Sequence, residues 1–149
     1  IPAWSEARAE LPFVFAASAA ASAAGAAMLT VPSAEAEPAR ALGVAAVVVE
    51  EAASKVMLRR LGPLASAYEE GTAGRLDKAA RALAALGALT LAASGPRGPL
   101  PARHRRPVSA GAGALLLAGA ACKRWAVFKA GFASAADPHQ TIDLQRARR

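Results

Sequence analysis

Cysteine, aromatic residues and charge are all scarce in this 149-residue chain. The single Cys122 excludes an internal disulfide framework and any all-cysteine zinc or iron–sulfur site built from this chain alone. His104 and His139 have no ligand-spaced companions, so no metal is assigned. With 5% aromatic and 19% charged residues against 54% hydrophobic ones, the composition is the reverse of a disordered chain. The sequence has no Gly-rich phosphate loop, no nucleophile elbow and no Cys-x-x-Cys-His haem attachment. No stretch alternates apolar and polar residues as a half-buried strand would. What abounds is alanine, 44 residues of it, which favours helix. Because it opens on Ile1 rather than methionine, the sequence is expected to be a portion or processed form of a longer chain.

The missing charges are missing in blocks. Residues 11–34 run without a single one. As a helix rising about 1.5 Å per residue, that run covers roughly 36 Å, more than a hydrocarbon core of about 30 Å. Ser18, Ser22 and Gly25 fall at i, i+4 and i+7, a face of small residues that lets two membrane helices approach closely. Gly111 and Gly119 offer a similar face later in the chain. Residues 41–58 are apolar apart from Glu50, Glu51 and Lys55, with Arg40 before them and Arg59–Arg60 after. Residues 79–94 carry only Arg81 and stop at Gly95-Pro96. Residues 107–122 are uncharged, with Pro107 suited to a first helical turn, and the apolar character continues through Trp125, Val127 and Phe128. The expected fold is all-α, an integral membrane bundle of four transmembrane helices over residues 1–136, with a polar tail at 137–149. The stretches 62–75 and 95–106 read as polar connections. A cleavable signal peptide is not expected, since Glu6 and Glu10 precede an apolar run too long for one.

A net charge of +7 raises nucleic acid as a partner, and Arg97, Arg103, Arg105 and Arg106 with His104 form the densest basic patch. The distribution argues against it. Arginines sit at the ends of apolar segments, where cations meet lipid headgroups, and no aromatic residues interleave to stack on bases. Trp4 and Trp125 suit an interfacial belt, and Lys123 and Arg124 are expected to snorkel to headgroups. Arg8, Arg59, Arg60, Arg75, Lys78 and the arginines of the tail fall on one side of such a bundle and outnumber Arg40 and the four of residues 97–106. That excess puts both ends in the cytoplasm of a multi-pass cell-membrane protein.

Glu50 and Glu51 are the charges that an apolar helix should not hold. Glu50 lies nine residues before Arg59, about 14 Å, which is near mid-membrane if Arg59 marks the interface. An ionised carboxylate there is costly unless it is paired or protonated. Glu51 can pair with Lys55 four residues on; Glu50 points about 100° away and has no partner within its own helix. Two readings stand for Glu50: a proton-handling carboxylate or the wall of a ligand cavity on one hand, a structural ion pair on the other. Glu51 with Lys55 reads first as an ion pair. Arg124 is a candidate counter-charge at the opposite end of the bundle.

The ends of the chain carry a resemblance. Pro2-Ala3-Trp4-Ser5-Glu6-Ala7-Arg8-Ala9-Glu10-Leu11-Pro12-Phe13 running into Ser18-Ala19-Ala20-Ala21-Ser22-Ala23, and Arg124-Trp125-Ala126-Val127-Phe128-Lys129-Ala130-Gly131 followed by Ser134, Asp137-Pro138 and Thr141, resemble the NrfD/polysulfide reductase membrane-subunit family. The similarity spans nearly the whole chain and corresponds to the C-terminal half of a typical member. It implies a membrane-anchor, quinone-interacting subunit of a respiratory oxidoreductase. Its partners would be an iron–sulfur electron-transfer subunit and a molybdopterin catalytic subunit. No cofactor would be bound by this chain's own ligands; quinone is the small molecule implied. On that footing Glu50 is the candidate proton-handling group. A transporter or channel half with Glu50 lining the path, and a purely structural membrane anchor, are the alternatives.

Overall fold

The computed structural model describes residues 1–32 and 34–136; the tail expected at 137–149 lies outside the described residues. It is all-α. The elements are α1 (Pro2–Glu6), α2 (Leu11–Thr30), α3 (Glu37–Leu61), a 3₁₀ turn at Gly62–Ala65, α4 (Ser66–Glu69), α5 (Gly71–Ser94) and α6 (Ala102–Ala136), with no strand among the described residues. Local chemistry accounts for their ends. Pro12 and Pro38 stand in the first turns of α2 and α3, where a missing N–H costs nothing. Glu37 begins α3 and Arg59 and Arg60 finish it, each favourable to the helix dipole. Gly62 then stops α3 at φ 55, a conformation that suits glycine alone.

All four expected long helices form, with different ends. Residues 62–75 are not a plain connection: they hold the 3₁₀ turn, α4 and the first turn of α5. Helix α6 starts at Ala102, so the arginines of residues 103–106 are helical and Pro107 lies inside the helix rather than at its start. As the sixth residue of α6 the proline lies past the four partnerless N–H groups, so the Arg103 carbonyl goes without its usual i+4 donor.

The four long helices pack in a closed ring, each antiparallel to the next, with α2 against α3 and α6, and α5 against α3 and α6. Backbones touch where α2 crosses α6. A Cβ on Gly25 would lie 2.7 Å from Gly113 O, and one on Gly113 would lie 2.5 Å from Gly25 O. Thus Gly113, not Gly111, makes the close approach, and a Cβ on Gly111 would meet nothing. Gly119 packs on α5 instead, facing Ala80 and Ala84. Arg106 ties the end of α2 to α6, donating to the carbonyls of Met28, Leu29 and Val31 that the helix end leaves free.

Helix α1 folds back on the bundle. Trp4 is half-buried rather than set in an outer belt; its ring lies against Gly131, and its Nε1 donates to Val127 O at 3.0 Å. Ala3 N donates to Ser134 Oγ, and the Tyr68 hydroxyl donates to Ala3 O. Burial pushes the Tyr68 phenol up to about 12. Arg60 closes the corner by binding both oxygens of Glu10 and the Glu6 carbonyl.

That hydrogen-bonded guanidinium holds the Glu10 carboxyl below the usual carboxylate range. A carboxyl depressed in the folded state contributes stability above its unfolded pKa of about 4.3 and loses it as pH falls through the folded value. At neutral pH the corner is therefore closed, and acid should release α1. In a Trp125→Phe background, Trp4 fluorescence should stay constant from neutral pH to about 5 and shift below about 4. A constant signal through that range would contradict the role of the pair.

The apolar core also holds buried charges, and large apolar side chains stand outside it. Arg40, Glu50 and Lys123 are buried at 5%, 7% and 3% exposure, while Phe13, Val48, Leu89 and Phe132 on the four long helices are 65%, 64%, 69% and 56% exposed. Among the described helices only α2 is apolar enough by length and composition to cross a membrane, and just 39% of its most apolar window is buried. The other three fall short because their charged residues interrupt the apolar runs.

Candidate functional site at the centre of the bundle

The core divides into two apolar clusters. One lies at the α1 end and includes Leu11, Met57, Leu61, Tyr68 and Val127; the other, farther along each helix, includes Ala24, Met28, Leu91, Ala112 and Leu116. On every long helix a polar residue falls between them: Ser18 on α2, Glu50 and Ser54 on α3, Asp77 and Arg81 on α5, Lys123 on α6. Helix phase puts them there. Gly43, Ala46, Glu50, Ser54, Met57 and Leu61 are the buried stripe of α3, and Leu116, Gly119, Ala120, Lys123, Ala126 and Val127 belong to that of α6.

Lys123 is the hub. Its ammonium lies 2.7 Å from Asp77 Oδ1, 3.4 Å from Ser54 Oγ and 3.9 Å from Glu50 Oε1. This corrects the expectation that Lys123 snorkels to headgroups: its side chain is 4% exposed. From Asp77 the chain of charges continues outward. Asp77 receives Arg81 at 2.7 Å, Arg81 reaches Glu51 at 3.3 Å, and Glu51 meets Lys55 at 3.2 Å. Exposure rises along that path, from 9% for the Glu50 side chain to 20% for Asp77, 34% for Glu51 and 58% for Lys55. The ladder therefore runs from the centre of the bundle to the seam between α3 and α5. A cavity of about 10 Å³ beside it, enough for one water, is bordered by Ser54, Tyr68, Asp77, Arg81 and Lys123.

On the other flank of Glu50 stands Ser18, fully buried, whose Oγ lies beside the carboxyl without reaching hydrogen-bond geometry. Arg124 is not at the opposite end of the bundle. It lies next to Lys123 in sequence, acts electrostatically on Glu50, and sends Nη1 to within 3.4 Å of Ser22 Oγ. No carboxylate pairs with it among the described residues. Its side chain also borders an apolar cleft of about 480 Å³ with Trp4, Leu11, Phe15, Val127 and Phe128. The lining is almost wholly apolar, and the Arg124 guanidinium is turned toward Ser22 rather than into the cleft.

Sequence reasoning found Glu50, Glu51, Lys55 and Arg124 but missed Asp77, Lys123, Ser54 and Ser18 as members of the site. The spacing of Lys123 from Leu116 and Gly119 was the available signal. No such signal marks Asp77, whose role depends on which helices become neighbours. A second buried cation, Arg40, joins three helices at the far end, donating to Leu91 O, Ser94 Oγ and Ser109 Oγ while its Nε meets Glu37. Cys122 is a free, half-buried thiol. Among the described residues no three His, Cys, Asp or Glu side chains gather as a metal site requires.

Together the fold and site define a class: an antiparallel all-α bundle with an ionic cluster between two apolar core clusters. No protein-family model, no curated protein and no solved structure matches the chain.

Proposed function

We propose that this chain is a four-span portion of a membrane subunit of a quinone-linked respiratory oxidoreductase, akin to the NrfD/polysulfide reductase subunits its ends resemble. The observation that carries the reading is the buried Glu50–Lys123–Asp77 cluster inside helices whose outer faces are apolar. Lipid accepts such outer faces, and ionisable groups are retained within membrane bundles mainly for function. In length α2 suits one crossing at about 30 Å, and α3, α5 and α6 are longer still. Glu50, Asp77 and Lys123 point inward and Glu51, Lys55 and Arg81 lie along the α3–α5 seam, while Lys78, Arg124 and Lys129 are exposed.

A quinone supplies two-electron, two-proton chemistry. In the cleft that Arg124 borders, Trp4, Phe15 and Phe128 would pack on the quinone's apolar body. Glu50, with Lys123 on one side and Ser18 on the other, would give or take the accompanying proton. Electrons would come from an iron–sulfur partner, with a molybdopterin subunit beyond it. A channel reading fares worse, because the two apolar clusters close the bundle above and below the charges.

In the full-length subunit, Glu50→Gln should leave assembly with the iron–sulfur partner intact and lower reduction of a soluble quinone analogue by about 10²-fold, the scale of a lost general acid–base group. Equal turnover at matched complex levels would remove Glu50 from the mechanism.

A further inference from the structure

We infer that Lys123 is a proton shuttle that connects Glu50 to Asp77, so that protons reach the centre of the bundle from the α3–α5 seam. The inference rests on the proton-handling reading of Glu50 and adds its route and sidedness.

Geometry carries the argument. Among the described residues Lys123 is the one cation within 4 Å of both carboxylates, at 2.7 Å from Asp77 and 3.9 Å from Glu50. A shift of the flexible ammonium by about 1 Å brings it to charge-assisted hydrogen-bond distance of Glu50. Ser54 Oγ, already 3.4 Å away, can follow that swing. The charged groups facing the cluster are all accounted for: Glu50 and Glu51 from α3, Asp77 and Arg81 from α5, Lys123 and Arg124 from α6, while α2 contributes only the hydroxyl of Ser18. Two other directions from Glu50 are closed. Toward the far end lie Ala24, Leu91 and Leu116, each at most 1% exposed. Toward α2 lies Ser18, which is fully buried. The path through Asp77 ends at an accessible edge, where Arg81, Glu51 and Lys55 are increasingly exposed.

The step balances. An N–H bond of the Lys123 ammonium breaks and an O–H bond forms on the Glu50 carboxylate, leaving Lys123 as the neutral amine. A proton carried as hydronium by water at the seam then adds to the Asp77 carboxylate, and Asp77 passes it to the amine, so that both groups regain their starting forms. Neither redox change nor a further reactant is needed.

Arginine separates the shuttle from a structural ion pair. It keeps the positive charge and the carboxylate contacts but does not release its proton. In native membranes holding the assembled complex, Lys123→Arg should lower turnover of the quinone analogue at least tenfold. It should also abolish the redox-induced change in the Glu50 carboxyl infrared band, which is identified by its loss in Glu50→Gln. Asp77→Asn should slow turnover similarly and leave the band present. Wild-type turnover and an unchanged band response in Lys123→Arg, with Glu50→Gln still impaired, would overturn the shuttle alone. Wild-type turnover in both would overturn the reading of Glu50 as well. Should Lys123→Arg fail to assemble, the band response in Asp77→Asn decides: a slowed response supports the route, and a wild-type rate overturns it.

Discussion

Replacing Lys123 with methionine should cost the bundle about 3–5 kcal/mol, the usual penalty when one partner of a buried ion pair is removed and the other is left behind. The side chain is 4% exposed and, among the described residues, is the only cation within 4 Å of Glu50. Without it Glu50 loses its neighbour outright, and Asp77 keeps only Arg81 at the seam. Methionine has nearly the same length, so the loss reflects charge rather than a cavity. Detergent-solubilised subunit should show a markedly lower thermal midpoint and a reduced assembled fraction. Adding Glu50→Gln and Asp77→Asn to Lys123→Met should recover most of the loss, since neutral groups no longer need a cation. A stable single variant would mean that the three helices do not depend on this cluster.

The second large effect concerns the α2–α6 crossing. Gly113→Val should separate these helices, because a Cβ there meets Gly25 O at 2.5 Å and Met28 Cβ at 2.8 Å, and the nearer atom is backbone that cannot swing aside. Overpacking of this kind costs about 1–3 kcal/mol and more when the backbone must move. Gly111→Val is the internal control. Two residues earlier on the same helix, its Cβ meets nothing, so stability should be unchanged or slightly raised by the better helix former. Measured by thermal unfolding in one detergent, equal stabilities of the two valine variants would contradict the close crossing.

How much of this was legible beforehand depends on which physics fixes each feature. Helix α2 could be read from its uncharged run because lipid-scale length and composition act locally. Helix α5 began earlier than expected because Gly71, Gly74 and the charges near them resemble a loop, whereas packing on α4 and α6 extends the helix through them. Glu50 stood out by its depth, and Glu51 with Lys55 by i,i+4 spacing. Lys123 was misread because Arg124 and Trp125 beside it look like a membrane edge. Its helical phase, shared with Leu116, Gly119, Ala126 and Ala130, was the better guide. The same phase separates Gly113 from Gly111. Asp77 and Ser18 could not be read at all, because their importance comes from partners 46 residues away in one case and on another helix in the other.

The central claim is that these four helices cross a bilayer with the ion cluster inside. Side-specific labelling of single cysteines tests it most directly, using the full-length subunit in native membranes with Cys122 replaced by serine. Glu35, Glu69 and Arg97 are exposed positions in the three successive connections. An impermeant thiol reagent should label Glu69→Cys from the cytoplasmic side, and Glu35→Cys and Arg97→Cys from the opposite side only. Labelling of all three from one side would contradict the four-span bundle.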